Sequence, residues 1–408
     1  MSETLAPPLE KAPDHVPPEL AFPFRVGSAP GIEKRAFQAV IGAFRERPDI
    51  FFAVGGARTG PGTWIVTRHD LVREVLMDSD NFESRGRVDI SSTLGEHLPL
   101  IPIEMDPPEH VKWRAVLDPI FSPKRMKALE EDIRQLAIDL IEDVRAKGGC
   151  EFVEDFSSKF PTQIFLRLLG LPLEEAPKFL AWEHAIFRGA DPDMRRTAYR
   201  SILATLRATI EERKRAPTDD AISYVATVKF DGRPLTDKEM AGVCMILYLA
   251  GLDSVAGMLG FMFAHLAEHP ADQQRLRDNP DQITDGMEEM LRAFPISSPA
   301  RIVKRDLEFH GVKFKAGDIV TAYTISAGRD AREYKNPDKV DFDREEASHI
   351  TFGVGPHRCL GSHLARRELR IALEEWLKRI PPFRITPGDE VVTNGNSILG
   401  VMRLPLSW

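Results

Sequence analysis

The chain has 408 residues, of which 43% are hydrophobic and 28% charged, and its formal net charge is −8. This reads as a soluble globular protein of one large domain or two ordinary ones, with a sizeable core and no global attraction to nucleic acid. The three cysteines, Cys150, Cys244 and Cys359, are far apart and include no Cys-x-x-Cys pair, which excludes a disulfide framework, argues against structural zinc and suits a reducing cytoplasm.

In chain order, residues 1–25 are proline-rich and hold no apolar run of a signal or anchor segment. A flexible leader is expected there, then one domain over 26–408 without membrane attachment. "FFAVGG" and "GTWIVT" read as short strands around a glycine-rich turn, and "HDLVREVLMDSDNF" as a helix. Residues 83–104 have no clear period and read as loops. From about 106 to 290 the pattern is mainly helical, broken near Gly148–Gly149, Pro172 and Pro217. Residues 305–325 read as a hairpin with turns at His310–Gly311 and Ala316–Gly317, and 326–358 as mostly irregular. A last helix over about 360–379 stops before Pro381–Pro382, and short strands follow. The expected fold class is mainly α with small β-sheets.

The run "MAGVCMILYLAGLDSVAGMLGFMFAHLAEH", residues 240–269, opens on a Thr236/Glu239 capping box and ends at His269–Pro270. It is long and apolar enough to span a membrane; a core helix crossing the domain is the preferred reading. Asp253 and Ser254 lie at its middle. Either they form a satisfied polar pair, with Ser254 bonding back to a carbonyl, or they form a proton relay beside a small ligand. Gly251 would let a ligand approach the backbone closely.

Cys359 stands at the mouth of the last helix, among Gly353, Gly355 and Gly361. Helix N–H groups favour a thiolate there. Three roles stay open on these residues alone: a nucleophile with His357 or His363 as base, a metal ligand, or an inert buried thiol.

"FGVGPHRCLG" carries Phe352, Gly355, Cys359 and Gly361 in the pattern Phe-x-x-Gly-x-x-x-Cys-x-Gly, which resembles the cytochrome P450 signature. "EMLR" (Glu289, Arg292), "FDRE" (Arg344), "AGLDSV" and "MDPPEHVKWR" resemble further marks of that family in the same order, over nearly the whole chain. The resemblance implies the triangular P450 fold, with a long central helix over haem b, and makes Cys359 the axial iron thiolate. It implies that His110, Arg114, Arg301, His349 and His357 serve the haem propionates, with Phe352, Gly361 and Gly251 also on the cofactor. Glu289, Arg292 and Arg344 resemble the family's structural Glu-Arg-Arg triad. Asp253 and Ser254 resemble its catalytic acid–alcohol pair, with serine where threonine is usual.

The implied activity is a monooxygenase reaction in which RH, O2, two electrons and two protons give ROH and water. "GLDSV", "EFHGV" and "MDPPE" resemble the bacterial camphor hydroxylase group, which takes electrons from a ferredoxin and an NADH-dependent reductase. Lys112, Arg114, Lys124, Arg125, Arg366 and Arg367 are the expected basic docking face, with salt-sensitive association. The implied pocket is lined by Leu98, Ile101, Phe187, Leu247, Leu249, Ala250, Ser297, Ile302 and Val303, with His97 as an alternative polar anchor. Leu98 falls where the camphor enzyme has a substrate-binding tyrosine. A compact apolar substrate is therefore expected: a terpenoid, a norisoprenoid or a small aromatic. A cytoplasmic monomer with no nucleic-acid or membrane partner completes the expectation. The competing readings are a peroxide-driven or isomerising P450 without a redox partner, a haem-based sensor, and a cysteine hydrolase if haem is absent.

Overall fold

A computed structural model describes residues 11–408 except 57–59, 87–89, 188, 190, 346–347 and 396–397. Residues 1–10 of the expected leader, and parts of the stretches 83–104, 106–290 and 326–358 read above, lie outside the described residues.

Its axis is one helix, Asp237–Glu268, which we label α6 after five others in chain order: α1 (His69–Met77), α2 (Glu109–Leu117), α3 (Glu130–Arg145), α4 (Lys159–Leu169) and α5 (Pro192–Arg215). Two more matter below, α7 (Ile283–Ala293) and α8 (Ser362–Arg379). The expected capping box closes the start of α6: Thr236 Oγ1 accepts the Glu239 N–H at 3.3 Å, and the Thr236 N–H donates to Glu239 Oε2 at 2.7 Å. Among the described helices α6 alone is long and apolar enough to cross a membrane, and it is instead mostly covered by protein. A helix apolar on every side suits such a position. Its burial runs unbroken from Met240 to Tyr248 and from Val255 to Phe263. Between them only Leu252 is buried; Ala250 is exposed and Leu249, Gly251, Asp253 and Ser254 are half-buried. Away from its exposed ends, the core helix is least covered at its centre.

Close approaches fix what surrounds α6. A Cβ on Gly242 would lie 1.8 Å from the Pro99 carbonyl oxygen, so the loop that carries Leu98 and Ile101 rests directly on the helix backbone. The strongest helix pairing is that of α8 with α3. It is bound by an ionic ladder: Arg134 to Glu374 at 2.8 Å, Arg370 to Glu130 at 2.7 Å and to Glu374 at 2.6 Å, and Arg367 to Glu130.

A second, smaller core lies under a six-stranded sheet. Its strands are β1 (Ala21–Pro23), β2 (Ile50–Val54), β3 (Gly62–Val66), β4 (Phe82–Glu83), β5 (Ala300–Val303) and β6 (Ile319–Ala322), in the order β1-β2-β3-β6-β5-β4. β1 pairs parallel with β2, and β6 runs parallel to β3 and antiparallel to β5.

Three expectations change here. The leader does not extend to residue 25: Val16 is buried, His15 Nε2 meets Asp318 Oδ2 at 2.9 Å, and residues 21–23 are a strand. Pro23 misled because proline is tolerated on an edge strand. The hairpin read over 305–325 is real only for Leu307–Phe309 and Val312–Phe314, around His310 and Gly311, both at positive φ; the next strand leaves it for the larger sheet. The break at Gly148–Gly149 contains a strand, Gly149–Glu151, that pairs with Pro405–Ser407 near the C-terminus.

Candidate active site

The cysteine loop is a sequence of turns before α8. Gly353 and Gly355 take φ of +69° and +75°, which side chains adopt at a cost, and a Cβ at Gly355 would sit 2.8 Å from the Leu76 carbonyl oxygen. The turns close through Gly353 N–H to Ile350 O at 2.8 Å, Arg358 N–H to Gly355 O at 3.1 Å and Cys359 N–H to Phe352 O at 2.8 Å. From α2, Arg114 reaches across: Nη1 donates to Pro356 O at 3.2 Å and Arg358 O at 2.7 Å, while Nε binds Asp118 at 2.8 Å. Arg114 therefore straps the loop, whatever else its charge does. Gly361, the cap of α8, has an ordinary φ of −83°, and no protein atom lies within 4 Å of where its Cβ would be.

Cys359 is exposed as a residue, yet the chain around its sulfur is the largest influence on the thiol and raises its pKa. The Gly361 N–H and the charges of Arg114, Arg358 and Arg366 pull the other way without prevailing. In the described chain burial outweighs the pull of the helix end and the nearby arginines on this thiol. A bound metal ion deprotonates a coordinating thiol outright.

Two buried ionic groups hold the loop's approach. Glu289 Oε2 accepts from Arg292 Nε at 2.8 Å and from Arg344 Nε at 2.9 Å, and Glu289 Oε1 from Arg292 Nη2 at 2.8 Å. Arg292 Nη1 and Nη2 then donate to Pro337 O at 2.9 Å and Lys339 O at 3.0 Å. So the three residues expected as a structural triad meet. Beside them Glu288 binds His349 Nε2 at 2.9 Å and Arg366 Nε at 2.6 Å, which holds the Glu288 carboxyl down at about 2 against the cost of its burial. His349, expected beside the propionates, thus also belongs to the group that holds the loop. Its Nδ1 accepts the Thr351 N–H at 3.3 Å, so the proton sits on Nε2 and goes to Glu288. Arg366 also lies over the Phe352 ring, 4.4 Å from its centre, and with Arg367 it belongs to the ionic framework rather than to a free docking face.

A cationic cradle remains. His110, on α2, and His357 stack with ring centres 4.0 Å apart. Burial, together with the charges of Arg114 and Arg301, pushes His110 down to about 4; burial, His110 and the same arginines push His357 to about 3. His357 Nε2 shares a hydrogen bond with Ser84 Oγ at 3.1 Å, and Asp106 accepts the N–H groups of Ser84 at 2.8 Å and Arg85 at 3.2 Å. His110 Nδ1 is buried and has no partner. Arg301 is buried on β5. An orphaned imidazole nitrogen among arginines and neutral histidines is a donor set that fits an anionic carboxylate. Sequence reasoning missed Ser84, although Asp106 stood in the quoted "MDPP".

On α6, Ser254 Oγ donates to the Ala250 carbonyl oxygen at 3.1 Å, within an unbroken helix. Asp253 is half-buried beside it. Gly251 is corrected. A Cβ there would lie 2.1 Å from Cε2 of Phe165, on α4, so the glycine admits a phenylalanine ring rather than a cofactor. Of the expected pocket lining, Leu98, Ile101 and Leu247 are buried in the main core, Phe187, Leu249 and Ile302 are half-buried, and Ala250 and Ser297 are exposed. Val303 is corrected: its side chain belongs to the core under the sheet, with Phe82, Phe309 and Phe314.

A lone cysteine in a glycine-turned loop, a cationic cradle beside it, and a long core helix left uncovered at an acid–alcohol pair define a haem-thiolate oxygenase site. The comparisons agree. The family model for cytochrome P450 matches residues 192–406. A Sinorhizobium fredii (strain NBRC 101917 / NGR234) protein described as "Probable cytochrome P450 127A1" is 38% identical over 97% of this chain and 96% of its own length. Two crystal structures, CYP101J2 and CYP101C1, are 32% and 31% identical over 98% of this chain, with TM-scores of 0.86 and 0.87 and 99% and 100% of their own chains covered. The chain belongs to the cytochrome P450 family. It is a monooxygenase whose cofactor is haem b, and the Cys359 loop and the His110–Arg301 cradle fit that group.

Proposed function

We propose that this P450 hydroxylates a compact apolar substrate, a terpenoid, norisoprenoid or small aromatic, with O2 and with electrons from a ferredoxin served by an NADH-dependent reductase. The observation that carries the reading is the uncovered centre of α6. There a hydroxyl and a carboxylate sit at the one interior stretch of the helix that is not fully buried, among residues that are otherwise apolar.

Haem, when bound with Cys359 as its iron ligand, would supply the oxygen chemistry. The chain's own residues do the rest. Cys359 would give its sulfur to the iron, Arg301 and Arg114 would set positive charge beside the propionates, and the neutral His110 would offer a hydrogen bond from its unpartnered Nδ1. Leu247, Leu249 and Ala250 exclude water and orient an apolar substrate. Ser254 Oγ holds a proton that Asp253 can replace from the half-buried side. Leu98, in place of a polar anchor, favours substrates without a ketone to grip. The same reading makes the protein a cytoplasmic monomer of one domain.

Two spectra test it. The reduced, carbon-monoxide-treated protein should show the Soret band of thiolate ligation, which Cys359→Ser should abolish. Small terpenoids should shift the ferric protein from low to high spin. A protein that binds no haem, or one that shifts only with large polar ligands, would overturn the proposal at its first or second step.

A further inference from the structure

We infer that Gly242 sets the size of substrate this protein accepts, by letting the loop that carries Leu98 and Ile101 sit directly on α6 and so fixing how far apart the two walls stand. This rests on the reading that a compact apolar substrate binds between that loop and the open face of α6, and it names what keeps the space compact. Gly242 lies in a regular turn of α6 and not at a positive φ, so its backbone does not require glycine. Glycine weakens a helix interior relative to alanine. What it provides here is room. The three atoms nearest to a Cβ at this position all belong to Pro99: the carbonyl oxygen, the carbonyl carbon and, at 3.7 Å, Cγ. An alanine would have to lift Pro99 by about 1.5 Å to reach an ordinary contact distance.

The seat is on the side of the helix that bears the site. At 3.6 residues per turn, Leu249 and Asp253 fall within about 20° of Gly242 around the axis, and Ala250 within about 80°. These three belong to the uncovered stretch. Gly251 falls on the opposite side, where the Phe165 ring backs the helix. The helix is therefore pressed between a ring behind and the loop in front. Pro99 closes the open face from its N-terminal end, about 10 Å along the axis from Leu249.

Movement at Pro99 reaches the pocket wall. Leu98 and Leu100 flank it, and with Ile101 they are buried in the main core. Beyond Pro99 the loop is closed into a turn: the Leu100 N–H donates to Glu104 Oε2 at 3.1 Å, and the Glu104 N–H to Leu100 O at 3.0 Å. Before it, the loop is tied to α5. Arg207 binds Glu96 through Nη1 and Nη2 at 2.9 Å each, and Arg200 Nε donates to Leu94 O at 3.3 Å. A stretch pinned at both ends passes a lift at its middle to the side chains beside it, and a shift of one methyl's width is felt in a close-packed interior.

The test uses the ferric haem-loaded protein and two rigid apolar cages, adamantane and the larger diamantane, with dissociation constants read from the low-to-high-spin shift. The wild type should bind adamantane more tightly. In Gly242→Ala the ratio of the two constants should swing toward diamantane by about tenfold or more, the scale on which an apolar pocket reads a change of one methylene. Gly286→Ala on α7 crowds Leu276 and Phe342 instead. It should lower Tm and keep the ratio within about twofold, since a site with no shared partners does not couple to the pocket. Glu104→Leu removes the acceptor that closes the loop, reaching the seat without touching α6, and should move the ratio the same way by about threefold; it decides the matter if Gly242→Ala holds no haem. An unchanged ratio in the deciding variant overturns the inference and leaves the compact-substrate reading standing. A wild type whose spin state answers to neither cage, or that prefers diamantane, overturns both.

Discussion

The two sides of the active site are built on different plans. The Cys359 side is tied down by charge and backbone hydrogen bonds: Arg114 on two loop carbonyls, Glu289 shared between Arg292 and Arg344, Glu288 shared between His349 and Arg366. The α6 side is held by packing. Phe165 presses on Gly251, the Pro99 carbonyl rests on Gly242, and Ser254 bonds within its own helix. A metal ligand needs a fixed position, which multiple charge-assisted bonds supply. A substrate wall needs shape, which apolar packing supplies and can change one residue at a time.

The contrast can be broken at its strongest point first. Arg292→Ala leaves Glu289 buried with one cation fewer, and removing a partner from a buried pair costs about 3–5 kcal/mol. The variant should accumulate little haem protein, measured as haem per chain after purification, and lysine should not rescue it because the two-pronged contact is lost. On the other side, Gly251→Ala drives a methyl into the Phe165 ring, an overpacking that costs about 1–3 kcal/mol by denaturant titration. Phe165→Leu in the same chain should return part of it, whereas additive losses would show that the two do not touch.

The third prediction concerns an exception on the ionic side. Glu368, on α8, is buried with Oε2 unpartnered, and burial raises its carboxyl well above the usual range. The folded chain therefore keeps it protonated where the unfolded chain ionises near pH 4.3. Stability at this site is complete below that pH and is lost as pH rises toward the folded pKa. Glu368→Gln, a neutral amide of similar shape, should raise Tm by a few degrees at pH 8 and by less at pH 5. An equal change at both would show the carboxyl to be ionised in the fold. Smallest in stability is Ser254→Ala, expected within about 0.5 kcal/mol of wild type but forming less product per NADH consumed; an unchanged coupling ratio would remove Ser254 from proton delivery.

What the sequence made legible follows the same division. Local spacing and composition made a helix-mouth thiol at Cys359, an i, i+3 pair at Glu289 and Arg292 and a polar break in the apolar run of α6 legible, while the iron-ligand role of Cys359 and the place of Arg344 beside the pair came only from the family resemblance. The reading failed where a residue's role depends on a distant partner. His349 looked free until Glu288, and Gly251 looked like a ligand site until Phe165 filled the space. Val303 faced the wrong core because register in a mixed sheet is set by strands far away in sequence. The carboxylates that pair with two of the expected docking cations, Asp231 with Lys112 and Asp219 with Arg125, are likewise remote along the chain.

The placement of β6 bears on how the protein is made. This strand lies between β3 and β5, so β3 has a partner on only one side until residue 319 has been synthesised. At about 5–20 residues per second, the nascent chain spends roughly ten to fifty seconds after β3 with that edge uncapped. Trp64 and Val66 lie along it, and an unpaired apolar edge is a template for pairing with another chain. The iron-binding cysteine emerges later still, at residue 359. The strand that caps this edge is thus made before the iron ligand, and the uncapped interval falls at a stage of synthesis when Cys359 is not yet present.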